Sequence, residues 1–484
     1  MLTSRRKTEV RTTKGRALNN LYIMEKKLKR TIIKNGYVVD PKQNLDKITN
    51  LLIEDGKIYS ITENIPTSFL DTTDNIIDAS GKIVCPGFID IHMHEDECDP
   101  ASGFLADSMS SSALHMGVTL DIGGNCGDNV CDPEKFLDLV DRQGAPVNIG
   151  LLAGHTWLRN LHGHKDKYLP VSDEDIAQMV KDGDYYLQKG CLGISFGLKY
   201  IPGTTWEEIL SLVQLCKKDD KLVAAHVRAD VDGVFDAADE LARMGKEGGV
   251  KVQFSHIGSM GGYGQMKKLL TDIENDRKNG IDMLCDCYPY TAFSTGIGET
   301  TYDDGFLESY QADYDSILIV NGKYAGRRCT KEIFDELRKN APETGTVGYF
   351  MKAGDVDMAL QSPLVMIGSD GVRTEGMGHP RASGAFARFI SDYIRSGKIS
   401  LMDGVRKMTT MAADRLNLPH KGNFLVGSDA DITIFDLASV CDRATYENGQ
   451  IPAKGFAYVL IGGEIALKDD EIINGHLGHS VRRW

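Results

Sequence analysis

The chain has 484 residues, 42% hydrophobic and 26% charged, with a formal net charge of -14. That length can hold one large domain and a smaller one with ample core, and the composition is that of an ordinary globular enzyme. The acidic balance speaks against general nucleic-acid binding, and no apolar run reaches the roughly 18 residues of a membrane span or resembles the h-region of a signal peptide.

Residues 1–30 carry ten Lys or Arg against two Glu, with little hydrophobic periodicity. They read as a basic, disordered tail rather than a nucleic-acid or membrane arm, with Met24 as an alternative start. From Thr31, "TIIKNGYVVD" and "NLLIEDGKIYSIT" read as short strands, with Asn35-Gly36 and Asp55-Gly56 as hairpin signals. Residues 31–84 therefore form a small β unit, ended by Pro86-Gly87.

Between about 85 and 420, apolar strands alternate with amphipathic helices: "GFIDIHMH", "VTLDIGG", "VNIGLLAGH", "GCLGISFG", "LVAAHVR", "VKVQFSH", "DMLCDCYPY" and "LVMIGSD". Strands this apolar, separated by stretches such as "DEDIAQMVKDGDYYLQKG", imply parallel strands buried on both faces. Their number suggests an α/β fold of the (β/α)8, TIM-like barrel type. Residues 297–348, polar and rich in Asp, Tyr and Gly, break the rhythm and read as an excursion and a candidate lid. After 420, "GNFLVGSDADITIFD" and "AYVLIGGEIALKD" return to β pattern. Residues 31–84 and 421–484 are expected to join as one discontinuous β-sandwich, because neither has enough strands to bury a face alone. There is no Walker A loop, and "GGNCG" and "GSMGGYG" lack the spacing of a dinucleotide fingerprint. The ten cysteines, including Cys285 and Cys287, do not resemble the framework of a small secreted domain, so the expected location is a reducing cytoplasm.

Metal-capable side chains fall at the ends of successive strands: His92 and His94, Cys126, His155, His226, His256 and Asp370. Barrel strand ends converge on one face, and residues at i and i+2 of a strand face the same way, so His92 and His94 both point to the axis. Zn²⁺ prefers imidazole and thiolate, and Cys126, His226 and His256 with the first-strand pair can supply one tight site and a weaker neighbour. A thiolate between two cations would bridge them and have a depressed pKa. A lone histidine at a strand end is more often a satisfied polar residue, and Cys126 alone would pass for a small hydrophobe; the recurrence on successive strands argues for a site.

"PGFIDIHMH", "GGNCG", "HVR", "FSHIG", "YPYTAFS", "GSDG" and "HPRASGAF", in that order, closely resemble the D-aminoacylase (N-acyl-D-amino-acid deacylase) branch of the amidohydrolase superfamily, from about residue 31 to 436. The resemblance implies a zinc-dependent hydrolase of linear amides acting on a small N-acyl-D-amino acid. It makes Cys126, His226 and His256 the tight zinc ligands, His92 and His94 those of a second, weaker position, and Asp370 the catalytic aspartate. Arg381, Tyr288 and Ser294 match the positions that bind the substrate α-carboxylate, and Tyr200 a pocket position. Two departures stand out. Gly258 occupies the place of a lysine that often completes the carboxylate clamp. Lys199 lies near the end of the fourth strand, where other amidohydrolases carry a metal-bridging carboxylated lysine; with Cys126 present it reads as a substrate or salt-bridge residue.

Zinc-bound water, with a pKa near ~7, is the nucleophile that amide hydrolysis at neutral pH needs. Asp370 would take its proton and deliver it to the leaving nitrogen, with His155 or the Tyr288 hydroxyl as oxyanion donors. Arg381 suits a carboxylate through its planar fork, and Arg159, Arg373 and Lys199 are further cations able to meet an acidic side chain. The competing readings are a cyclic-amide hydrolase of hydantoinase or dihydroorotase type, which needs a lysine bridge, and a non-catalytic barrel, which would be expected to lose ligands.

Overall fold

The computed structural model describes residues 28–372 and 376–484. Most of the basic segment 1–30, with Met24, lies outside the described residues, as does Arg373.

The chain begins in β1 (Arg30–Asp40) and returns antiparallel in β2 (Leu45–Glu54) and β3 (Lys57–Thr62). Asp55-Gly56 makes the β2–β3 turn, as expected. Asn35-Gly36 does not turn the chain: it is a bulge inside β1, where register shifts between Ile33 and Gly36 and Asn35 adopts a φ of 61°. A Cβ on Gly36 would meet Val84 Cγ2 at 2.4 Å, so packing against the neighbouring strand absorbed a dipeptide that usually makes a hairpin. β4 (Asn75–Asp78) and β5 (Ile83–Pro86) both lie parallel to β1.

The C-terminal strands β20 (Ile432–Phe435), β21 (Phe456–Ile461), β22 (Glu464–Lys468) and β23 (Glu471–Ile472) continue this sheet through β20, antiparallel to β5. The product is one nine-stranded sheet from both ends of the chain. Ile33, Val38, Leu51 and Ile53 share a buried core with Ile432, Ile434 and Leu460, so neither segment is buried without the other.

Between these ends run parallel strands: β6 (Phe88–Asp90), β9 (Val118–Gly123), β10 (Asn148–Leu151), β11 (Ala153–Gly154), β12 (Gly193–Gly197), β13 (Leu222–His226), β14 (Val252–Phe254), β15 (Met283–Cys287) and β19 (Val365–Ile367). β6, β9 and β10 form one sheet and β11 to β15 with β19 another, with only Leu152 separating β10 from β11. Residues just beyond β19 bond back to those just beyond β6: Asp370 N donates to His92 O at 2.7 Å and His94 N to Gly371 O at 3.0 Å. β9, β12 and β13 are buried along their whole length. Amphipathic helices connect them, with starts set by side-chain caps such as Ser172 on helix Asp173–Gln188 and Thr205 on helix Trp206–Val213.

Two additions bear on the site. After His94 a short hairpin forms from β7 (Cys98–Asp99) and β8 (Phe104–Leu105), and Cys98 is disulfide-bonded to Cys131, a pairing that cysteine spacing did not suggest. Between β15 and β19 the chain leaves to build an antiparallel sheet of β16 (Phe293–Gly296), β18 (Gly345–Gly348) and β17 (Ile317–Ile319). This excursion thus starts at Phe293, slightly before the polar composition that marks it in the sequence. Among the described residues no helix is long and apolar enough to cross a membrane.

Candidate active site

The ends of β6, β9, β13, β14 and β19 converge. His92 and His94 follow β6, Cys126 sits in a tight turn after β9, His226 ends β13, His256 follows β14 and Asp370 follows β19. Cys126, His256 and Asp370 all have left-handed backbones, with φ of 53°, 36° and 50°. Such conformations cost ~1–3 kcal/mol each and persist where surrounding structure enforces them, commonly at functional sites. Gly124 helps to enforce the turn before Cys126: its φ is 73° and a Cβ there would sit 2.0 Å from Leu152 O.

Cys126 is the hub. Its Sγ lies 3.4 Å from His92 Nε2, 3.4 Å from His256 Nε2 and 3.8 Å from His226 Nδ1. Asp370 Oδ1 lies 3.4 Å from His92 Nε2 and 3.2 Å from His94 Nε2. Donor atoms of His92, Cys126, His256 and Asp370 all fall within 4.8 Å of one another, and all four residues are buried. Burial pushes a thiol up, but the His92 and His256 imidazoles outweigh it and hold Cys126 well below its ordinary value, as a thiolate. Burial, helped by the charge of His256, pushes His226 down to about 4, leaving a neutral imidazole with a free lone pair. Asp370 is also held well below its usual range: burial opposes this, but the Arg381 guanidinium, His256, His94 and His92 overcome it. Thiolate, imidazole and carboxylate gathered from separate strands are the donors a borderline divalent cation takes.

The orientation of these ligands depends on residues the sequence reading passed over. Asp286 Oδ1 lies 3.1 Å from His92 Nδ1 and accepts the His256 backbone N–H at 2.8 Å, while Oδ2 accepts from Gln253 Nε2 at 3.0 Å. Ser259 Oγ sits 2.9 Å from His256 Nδ1. Holding the far ring nitrogen fixes the tautomer of a ligating histidine. The signal for Asp286 was present: an acid at the inward parity of the apolar strand "MLCDC", whose Cys285 and Cys287 pack into the main core.

A cavity of about 940 Å³ opens over the cluster, lined by His94, Cys126, Asp370, Arg381, Tyr200 and Ser294, with polar residues of the excursion farther out. Arg381 Nη1 lies 2.7 Å from Asp370 Oδ2, and its guanidinium stands 4.9 Å over the Tyr288 ring. Arg381 Nε and the Tyr288 hydroxyl are buried without a well-formed hydrogen bond. Ser294 Oγ donates to Thr346 O at 2.9 Å, and the Tyr200 ring lies 4.5 Å from that of His226.

Three cations or donors expected at the site are engaged elsewhere. His155 is fully buried with Nε2 2.7 Å from Glu208 Oε1, and Arg159 Nε is 3.0 Å from the same oxygen. Neither lines the cavity. A buried carboxylate at the helix behind the strand draws both inward, because an unpaired charge there costs more than a lost substrate contact. Lys199 Nζ is 2.5 Å from Asp230 Oδ2, not directed at the metal-capable cluster.

Comparison with known proteins places this geometry. The Amidohydrolase family model matches residues 352–466. The chain is similar to the D-aminoacylase of Alcaligenes xylosoxydans xylosoxydans, 30% identical over 445 residues, covering 84% of this chain and 89% of the relative. It is also similar to the structure of the N-acyl-D-glutamate deacylase from Bordetella bronchiseptica complexed with zinc and a phosphonate mimic of the tetrahedral intermediate, with a TM-score of 0.83 and 26% identity over 95% of this chain and 100% of that one. A D-aminoacylase structure, described by its binuclear metal centre with one-metal activation and second-metal attenuation, matches with a TM-score of 0.82 and 26% identity over 94% of this chain and 99% of that one. The protein is therefore a metal-dependent amidohydrolase, a hydrolase of linear amides, and a divalent metal is the group its donor set serves. Within that class the chain belongs to the D-aminoacylase family.

Proposed function

We propose that this enzyme hydrolyses N-acyl-D-amino acids to a carboxylate and the free D-amino acid, using Zn²⁺. The observation that carries the reading is the thiolate of Cys126 standing between His92 and His256 with Asp370 alongside. A cysteine occupies the centre where a cyclic-amide hydrolase would need its lysine, and Lys199 is committed to Asp230. Cys126, His226 and His256 would hold the tighter ion and His92 and His94 the weaker one, with Cys126 shared between the two positions.

These residues would hold a zinc ion whose Lewis acidity would polarise the amide carbonyl and lower the pKa of water towards neutrality. Asp370 accepts the proton of the attacking water on Oδ1, the oxygen facing the histidines, and returns it to the leaving nitrogen. Arg381 binds the substrate α-carboxylate through its fork, with the Tyr288 hydroxyl as a further donor, the Ser294 hydroxyl as another once it turns from Thr346 O, and Tyr200 as a wall. His155 and Arg159 are paired with Glu208 behind the site, and Lys199 is a salt-bridge residue.

We read the parallel strands as a closed (β/α)8 barrel over 85–420, supported by the bonds from Asp370 and His94 across the first and last strands. Residues 31–84 and 421–484 make the β-sandwich, the excursion bounds the pocket, and the enzyme works in the cytoplasm. Incubating the purified protein and added Zn²⁺ with N-acyl-D- and N-acyl-L-amino acids, and following free amine, tests the function. Release from the D series is expected; a clean L preference, or turnover of hydantoins instead, overturns it.

A further inference from the structure

We propose that Cys98 and Cys131 form a reversible thiol–disulfide site that clasps together the two loops carrying the metal ligands. The inference rests on the reading of His92, His94 and Cys126 as ligands. Cys98 opens the β7–β8 hairpin, four residues beyond His94, and Cys131 lies five residues beyond Cys126. Their Cα atoms are 6.7 Å apart and their sulfurs are bonded; disulfides span roughly 4.4–6.8 Å between Cα atoms. Both side chains are half-buried, whereas Cys126 and six other cysteines are buried and only Cys441 is similarly placed. Small thiols and disulfides therefore meet this pair at the surface, while Cys126, inside the cavity, would be masked by the ion it holds.

The same loops carry a deeper, non-covalent tie. Asn129 Nδ2 donates to Glu95 Oε1 at 2.8 Å, and Asn129 Oδ1 accepts from Gly154 N at 2.8 Å. Glu95 adjoins His94, and Asn129 is three residues from Cys126. The disulfide is the outer of two cross-links, so the loops stay registered when it opens and are held covalently when it closes. Release of the ion that His92 and His94 would share with Cys126 parts the His92–His94 loop from the Cys126 loop, and a link within six residues of each of these ligands suppresses that local opening.

The oxidant is a low-molecular-weight disulfide such as glutathione disulfide. One cysteine thiolate attacks it, forming a mixed disulfide and expelling one glutathione thiolate; the second cysteine thiolate attacks the protein sulfur of that mixed disulfide and expels the other. Two protein S–H bonds are lost, one S–S bond forms, and the glutathione disulfide is reduced to two thiols that take up the two protons.

The test uses the zinc-loaded full chain, equilibrated with glutathione disulfide or reduced with a phosphine, and follows zinc transfer to a chromophoric chelator. The oxidised protein is expected to release zinc more slowly than the reduced protein, by about threefold or more. Cys98→Ser should release at the reduced rate after either treatment, with Cys131→Ser as the alternative should the first misfold by circular dichroism. Peptide mass analysis after alkylation should find Cys98 and Cys131 blocked only in the oxidised sample. Equal release rates in the two wild-type states, or both cysteines alkylated after glutathione disulfide, would overturn the clasp. Failure to load zinc in either state would overturn it through the metal reading instead, and the alkylation pattern distinguishes the two failures.

Discussion

Arg381 and Asp370 form a buried ion pair, Nη1 to Oδ2 at 2.7 Å, while Asp370 Oδ1 faces His94 Nε2 at 3.2 Å. The residue proposed to bind the substrate carboxylate and the one proposed to move the proton therefore share one electrostatic environment. Arg381→Met leaves the Asp370 carboxylate buried without its counter-charge, a change that typically costs ~3–5 kcal/mol. We expect kcat/KM for N-acyl-D-amino acids to fall by about 10²–10³, with both kcat and KM affected in steady-state kinetics. A rise in KM alone, with kcat unchanged, would separate the two residues.

Asp370→Asn keeps the shape of the side chain and removes its basicity. General acid–base groups contribute about 10²–10⁴ in rate, and kcat should drop by that order while zinc, measured by elemental analysis, stays bound through Cys126, His226 and His256. Full activity in this variant would remove Asp370 from the chemistry.

Cys126→Ala takes away the sulfur that faces both His92 Nε2 and His256 Nε2 at 3.4 Å. Zinc content and activity should both be lost, whereas Lys199→Ala, which breaks only the Asp230 pair, should retain zinc. The reverse pattern would point to a lysine-bridged centre.

His155 supplies a pH test of stability. Burial lowers its pKa, so it is neutral when folded, and its unpartnered Nδ1 fits that state. Glu208 is also lowered: burial opposes, but the hydrogen bond from His155 and the positive charge of Arg159 prevail. Depressed folded pKa values mean that stability is present above the unfolded values, ~6.5 for His and ~4.3 for Glu, and lost as pH falls through the folded ones. Urea denaturation from pH 7.5 downward should show wild type losing stability faster than His155→Gln below about pH 6.5, with kcat/KM little changed at pH 7.5. A collapse of kcat/KM without loss of stability would return His155 to the active site.

Gly258→Lys tests whether the carboxylate clamp can be restored by one substitution. A Cβ at 258 would meet Cys287 Sγ at 2.7 Å and Met351 Cε at 3.3 Å. Overpacking of this kind costs ~1–3 kcal/mol, so the melting temperature should fall and KM should not improve.

Much of the site could be read from the chain because strand ends advertise themselves. His92, His94, Cys126, His226, His256 and Asp370 each terminate an apolar run, and parallel strands bring such termini together. The errors arose where a local pattern has two uses. Asn35-Gly36 supplies a left-handed backbone that serves a bulge as well as a hairpin, and Val84 packing against Gly36 chose the bulge. His155 looks like another strand-end ligand until Glu208, 53 positions later, takes its ring.

The order of strands and the types of donor atom belong to the sequence, since alternation of apolar runs with amphipathic helices and the chemistry of thiolate and imidazole are local properties. Which donors meet was decided only by folding. Asp286 holding His92 across 194 positions, Arg381 drawn onto Asp370, and Cys98 joined to Cys131 are distances between side chains remote along the chain. Such distances follow from how the strands pack, and no spacing in the sequence expresses them.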